Sequence, residues 1–191
     1  MRRSQKFLDA MDAYDASQPG LALQLMEECA RNDDPVACFM AALWYHSGEG
    51  VPVNGERSAK WLARLEELAM GGNPEAQWEI GQHYRFGNLF PLNIDLANTW
   101  LEQAAENGHP EAQHHLGWYL ESGQYNYAVD TAAAAIWYQR ALKQEHPETL
   151  YLFAVRQFQN GQPTVEAVRL LTKASDKGFA PATEALRAYT H

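Results

Sequence analysis

Asn73-Pro74-Glu75-Ala76, then Ile80-Gly81, Tyr84, Gly87, Ala97, Trp100-Leu101, Ala104-Ala105 and Gly108, is the stretch whose reading decides the fold. It spells two helices joined by a turn at Gly87, and the pattern reopens at once with His109-Pro110-Glu111-Ala112. Counting fixes the register. Ala37, Ala76, Ala112, Thr149 and Ala182 are equivalent, at intervals of 39, 36, 37 and 33 residues. Prolines precede them at Pro35, Pro74, Pro110, Pro147 and Pro181. Four and five residues on stand Ala41-Ala42, Ile80-Gly81, Leu116-Gly117, Phe153-Ala154 and Leu186-Arg187. The second half of each unit carries a bulky pair: Leu25-Met26, Trp61-Leu62, Trp100-Leu101, Trp137-Tyr138 and Leu170-Leu171. A period in this range means a stacked array of one supersecondary unit.

Two stretches carry a family resemblance. Ala37 to Val51 runs Ala-x-x-x-Ala-Ala-x-x-Tyr-x-x-Gly-x-Gly-Val, and Ala97 to Gly108 runs Ala-x-x-Trp-Leu-x-x-Ala-Ala-x-x-Gly. Together they resemble the Sel-one-like repeat, an α/α relative of the tetratricopeptide repeat, from near Ala22 to the end of the chain. The second unit departs at Leu89-Phe90, where the first has Gly50-Val51, and Leu120 stands in place of the tyrosine. The resemblance implies an all-α, right-handed α/α superhelix (a solenoid) of five helix-turn-helix units plus a C-terminal capping helix. It also implies a binding scaffold or adaptor. Bacterial members include partners of secreted toxins, so an immunity protein is a narrower version of that function.

The whole chain is expected to form one domain. A divergent helix pair over 1–33 covers the first full repeat, as the end of an array must. Repeats follow at 34–73, 74–109, 110–146 and 147–179, with the capping helix at 180–191. First helices are expected at 35–47, 74–86, 110–122, 147–160 and 181–190. Proline at the first helical position loses no needed N–H, and Asp34, Asn73, His109 and His146 precede it as caps. Second helices are expected at 55–70, 94–107, 131–145 and 164–177, starting after Asn54, Asn93, Asp130 and Pro163. At the front, a helix over Ser4–Asp15 is followed by a break at Gln18-Pro19-Gly20 and a helix over Leu21–Arg31.

Composition bounds the class. The 191 residues are 46% hydrophobic and 12% aromatic, which excludes disorder. Cys29 and Cys38 sit at helix positions of the repeat and read as reduced core thiols. Met1-Arg2-Arg3-Ser4-Gln5-Lys6 leads into Phe7-Leu8-Asp9, so no signal peptide is expected, and the run Ala37 to Tyr45 is too short to span a bilayer. The expectation is a cytoplasmic monomer without a membrane segment. A net charge of −9 argues against nucleic acid, whose phosphates are bound by lysine and arginine. No lysine or arginine occurs between Arg85 and Arg140, while Asp95, Glu102, Glu106, Glu111, Glu121 and Asp130 do. That distribution either keeps the surface soluble or guides a basic partner in a salt-sensitive way.

Motifs for catalysis are missing. The sequence holds no Gly-rich phosphate loop, Gly-x-Ser-x-Gly, His-Glu-x-x-His or Cys-x-x-Cys, so neither an enzyme nor a cofactor is expected. Of the histidines His46, His83, His109, His114, His115, His146 and His191, the adjacent pair faces different directions and two begin helices, so they do not read as a metal site. Glu79 and His83, one turn apart, read as an ordinary solvated pair. A small-ligand or metal role would have to draw His46, His83, His114 and Glu121 together.

A partner-binding face is the better candidate. The resemblance puts the first helices on the concave side and names the positions that face it. In this chain they are Phe39, Leu43, His46 and Ser47; Trp78, Gln82, Arg85 and Phe86; His114, Trp118, Glu121 and Ser122; and Tyr151, Val155, Phe158 and Gln159. The repeat does not need bulk there, so aromatic residues at those positions read as anchors for a protein or peptide. Arg85 either clamps a peptide carboxylate or pairs with Glu121. The alternative is that the aromatics are filled by the protein's own packing.

Overall fold

The computed structural model describes residues 3–159, 161 and 164–189. The expected helix limits at Asn160, Pro163 and Thr190, and His191, lie outside these residues. Among them are eleven α-helices: α1 (Gln5–Asp15), α2 (Pro19–Arg31), α3 (Pro35–Ser47), α4 (Gly55–Met70), α5 (Pro74–Phe86), α6 (Ile94–Glu106), α7 (Pro110–Ser122), α8 (Thr131–Lys143), α9 (Pro147–Gln159), α10 (Val165–Asp176) and α11 (Ala180–Tyr189). The fold is all-α, built from helix-turn-helix repeats of the solenoid class. It divides into two compact units, Met1–Asn107 and Gly108–His191.

Within each repeat the same devices start and stop the helices. Asp34, Asn73 and His109 accept the N–H of Ala37, Ala76 and Ala112 at 3.0–3.2 Å, each just ahead of the proline. Asn54, Asn93, Asp130 and Thr164 cap the second helices in the same way. First helices end on Gly48, Gly87 and Gly123, all in the left-handed region, where a Cβ would meet Val53, Leu92 or Val129 at 2.7–3.1 Å. The turn closes when the N–H of Asn54, Asn93 and Asp130 donates to the carbonyl of Tyr45, Tyr84 and Leu120, each at 2.8 Å. That bond is made by backbone, so Leu120 serves as well as tyrosine.

Several helix ends differ from expectation by one or two residues, and the start of α2 is one of them. Pro19 and Gly20 open α2 rather than breaking the chain, because proline is at home in the first helical turn. The break lies just before, where Ser17 has a φ of 58°.

In the unit Met1–Asn107, α1 packs on α2, α3 on α4 and α5 on α6, with α2 against α3 and α4 against α5. Its core runs from Phe7 to Ile80 and includes Met26, Trp44, Tyr45, Trp61 and Leu65. Cys29 and Cys38 are free and buried there, and burial pushes the Cys38 thiol up to about 12. Cys38 Sγ and Gln77 Nε2, equivalent by register, reach back to the carbonyls of Ala30 and Ala69 and tie each first helix to the helix before it. In the unit Gly108–His191, α7 packs on α8, α9 on α10 and α10 on α11. Leu150, Ala154, Leu170, Leu171, Ala174 and Ala182 form one of its cores. The small positions do what the register required. A Cβ on Gly81 would stand 3.3 Å from the Ala97 carbonyl and Trp100 Cβ, and one on Gly117 would stand 2.9 Å from the Tyr138 ring.

Among the described residues no helix is long and apolar enough to cross a membrane.

Candidate functional site

In the unit Met1–Asn107 the expected binding positions split. Phe86 is 61% exposed and His46 is exposed, while Leu43, Trp78 and Gln82 are half-buried. Phe39 and Arg85 are corrections to the sequence reading. Phe39 is only 7% exposed and its ring stacks on His83 at a centroid distance of 3.3 Å. Arg85 is 3% exposed and donates from Nη2 to Asn98 Oδ1 at 3.2 Å. Both are taken up within this unit, Phe39 of α3 against His83 of α5 and Arg85 of α5 against Asn98 of α6. His83 is buried too, not solvated. Its Nδ1 accepts from Asn88 Nδ2 at 3.1 Å, which leaves its proton on Nε2, 3.4 Å from Glu79 Oε2. That second contact falls outside hydrogen-bond geometry.

In the unit Gly108–His191 the expected positions line two open clefts. Val155, Phe158 and Gln159 of α9 line one of about 430 Å³ with Leu171 of α10 and Ala185 and Ala188 of α11. Tyr151, half-buried, packs its ring on Phe179 at 5.4 Å. The other cleft, about 460 Å³, is walled by His114, Trp118 and Glu121 of α7, Tyr138 of α8, and Glu148 and Leu152 of α9. Trp118 is 40% exposed on its rim. The Glu121 carboxylate accepts from Arg156 Nη2 at 2.6–2.7 Å and from the Tyr138 hydroxyl at 2.9 Å. Burial, reinforced by that hydrogen bond, pushes the Tyr138 phenol up.

Beneath this cleft lies a polar chain. Thr149, 0% exposed, occupies the slot that elsewhere holds alanine. Its hydroxyl lies 2.9 Å from His114 Nδ1 and 3.1 Å from His146 Nδ1. His146 Nε2 is 2.8 Å from Glu111 Oε2, and His114 Nε2 is 3.4 Å from Glu148 Oε2. The hydrogen bond from His146 holds Glu111 below the usual carboxylate range. Burial lowers His114 to about 4, helped by the neighbouring His146 and His115. Two of the acidic residues counted in the sequence, Glu111 and Glu121, are thus committed to partners within the unit, whereas Asp130 is exposed. Among the described residues, no three His, Cys, Asp or Glu side chains are placed to hold a metal.

The model of the Sel1 repeat matches residues 35–68, 74–109, 110–146 and 160–179, which is most of the chain. The chain belongs to the Sel1 repeat family. A Sel1 repeat protein from Oxalobacter formigenes has 31% identity and a TM-score of 0.58, over 66% of this chain and 97% of that one. A protective antigen of uropathogenic Escherichia coli with the same type of fold covers 94% of this chain and 40% of its own, at 24% identity and a TM-score of 0.59. Among curated relatives, chitin synthase regulatory factor 3 of Schizosaccharomyces pombe is 31% identical over 113 residues, 58% of this chain and 12% of that protein. An uncharacterised protein of Neisseria meningitidis is 28% identical over 127 residues, 66% of this chain and 25% of that protein. The matched segment is therefore a small part of both curated relatives.

Sel1 repeats are, in general, protein–protein interaction modules. Of the expected positions Trp118, His114 and Glu121 line one cleft together, while Tyr138, Glu148, Thr149 and His146 were not among those expected. One signal was available: a threonine where the Sel1 register wants alanine, three residues after a histidine, announces a buried hydroxyl that needs partners.

Proposed function

We propose that the chain is an interaction module that takes a basic protein or peptide partner on the exposed aromatic side chains of its first helices. Trp118 anchors the partner in one unit and Phe86 in the other, with Leu43, His46, Trp78 and Gln82 flanking. The observation that carries this reading is Trp118. A tryptophan 40% exposed on the rim of an open cleft is surface that the repeat's own packing leaves unused. The net charge of −9 and the lysine- and arginine-free interval between Arg85 and Arg140 favour a basic partner, which such a field draws in faster at low salt. The name of the fission yeast relative, a regulatory factor, is in keeping with action through a partner. The same reading has the chain work as a cytoplasmic monomer, without catalysis or a cofactor.

The test is affinity capture from the source cell's lysate, comparing wild type with Trp118→Ala and Phe86→Ala variants of unchanged helicity. A protein held by wild type in a salt-sensitive way and lost from Trp118→Ala supports the module. Equal retention by all three places binding elsewhere and sinks the reading. A captured toxin would make the chain an immunity protein.

A further inference from the structure

Arg3 stands just ahead of α1 and reaches across to α5. Its Nη2 donates to Glu75 Oε1 at 2.8 Å, and its Nη1 lies 3.6 Å from Asp34 Oδ1. The guanidinium carbon stands 5.2 Å from the centre of the Phe7 ring. Asp34 caps α3 and Glu75 lies in the first turn of α5, so this one side chain closes over the start of two first helices. Steps of three, seven and eleven residues lead from Glu75 to Trp78, Gln82 and Phe86, a spacing that keeps all four on one face of α5. Arg3 therefore sits at one end of the face that, in the unit Met1–Asn107, the interaction module offers its basic partner.

Two features make this a contact that can open. Arg3 precedes Ser4, the extended N-cap of α1, so it lies outside the helix. It can swing aside while α1 stays seated through Phe7, Ala10 and Ala13. The side chains of Arg3, Asp34 and Glu75 also keep 28%, 19% and 12% of their exposure, and an ion pair that still touches water is weakly held. What Arg3 brings to Glu75 is what a basic partner would bring, a guanidinium with paired donors for a carboxylate. The two compete for one place.

We propose that Arg3 is an internal ligand, which holds the Glu75 end of the α5 face closed until an arginine of the partner replaces it. This rests on the reading of the chain as a module for a basic partner and adds a threshold to it. Binding at α5 includes the displacement of Arg3, by exchange of one ion pair for another. With Arg3 seated in about nine molecules of ten, a competing arginine binds about tenfold more weakly than it would to the open site.

The full chain and its Arg3→Ala variant, labelled with ¹⁵N, are titrated with the capped tripeptides Gly-Arg-Gly and Gly-norleucine-Gly at millimolar concentrations. The indole N–H of Trp78 and the side-chain Nε–H of Arg3 are followed. The expected result is a saturable shift at Trp78 with the arginine peptide and none with norleucine, about tenfold tighter in Arg3→Ala than in wild type. Lys60→Ala, an equal change of net charge in the same unit, should bind as wild type does, and Arg3→Ala/Glu75→Gln should lose the gain. If Arg3→Ala loses helicity, displacement is read in the wild type alone, where the Arg3 Nε–H should move as the arginine peptide is added. The proposal is overturned by equal affinity of wild type and Arg3→Ala, which would leave Arg3 a structural tie. It is overturned as well by norleucine binding like arginine, by a gain that survives Glu75→Gln, or by no shift at Trp78 and Arg3. Should any of these hold while Trp118→Ala still loses the captured partner, the module stands and only the closure by Arg3 falls.

Discussion

The Tyr138 ring lies against Gly117, close enough that a Cβ on the glycine would sit 2.9–3.1 Å from three of its ring atoms. Tyr138 has little freedom to withdraw: it is 2% exposed and its hydroxyl is bound to Glu121. Gly117→Ala should therefore lose stability even though alanine in a helix gains about 1 kcal/mol over glycine. Gly117→Leu should cost about 1–3 kcal/mol by overpacking. At Gly81 the nearest atoms are 3.3–3.4 Å away, so Gly81→Ala should be close to neutral and only the larger Gly81→Leu should overpack. Urea unfolding of the four variants checks the order.

Thr149 bridges two imidazoles from a fully buried position. Thr149→Val keeps the shape and removes the hydroxyl, leaving His114 Nδ1 and His146 Nδ1 without their shared partner. The loss should be about 1–3 kcal/mol. Thr149→Ser should recover most of the hydrogen bonding, and equal stability of the valine and serine variants would show that the hydroxyl is not needed.

The fold should weaken in mild acid through His114. Its folded value, about 4, lies below the ordinary 6.5, so the unfolded chain takes the proton first as pH falls. Stability from this group is complete above pH 6.5 and is lost between 6.5 and 4, by an amount on the order of 3 kcal/mol at most. Glu111, also held low, adds a loss of the same sign, but only below its ordinary 4.5. His114→Gln should flatten the stability curve between pH 6.5 and 4.5. An unchanged slope would mean that other groups set it.

Phe39 and Trp118 occupy equivalent kinds of position in the register but should behave in opposite ways. Phe39→Ala empties a buried site against His83 and should cost about 3–5 kcal/mol. Trp118→Ala, at an exposed rim, should cost far less stability and most of the partner affinity. Thermal melts and binding measured on the same two variants separate the roles.

Helix limits were legible because they depend on neighbours in sequence. Prolines, caps and left-handed glycines set α3, α4, α5 and α7 at the residues expected, while α2, opened by Pro19, and α11, starting at Ala180, began earlier than the reading placed them. The close approach at Gly81 and Gly117 was legible too, since an α/α pair repeats its contacts with the period of the sequence.

Exposure was not legible, because a position in the register says which way a side chain points and not what stands in front of it. Phe39 is buried against His83 of α5 and Arg85 is buried with a bond to Asn98 of α6, whereas Trp118 stays open. Nor could periodicity show that Thr149, His114, His146, Glu111 and Glu148 form one chain of polar contacts. Those distances span up to 35 residues of sequence and arise only where α7 and α9 are brought side by side. By itself the sequence determined the repeat, its helices and their small-to-large fit. Tertiary structure alone decided which aromatics remain at the surface and which polar groups meet beneath the Trp118 cleft, because burial and side-chain contact depend on atoms far apart along the chain.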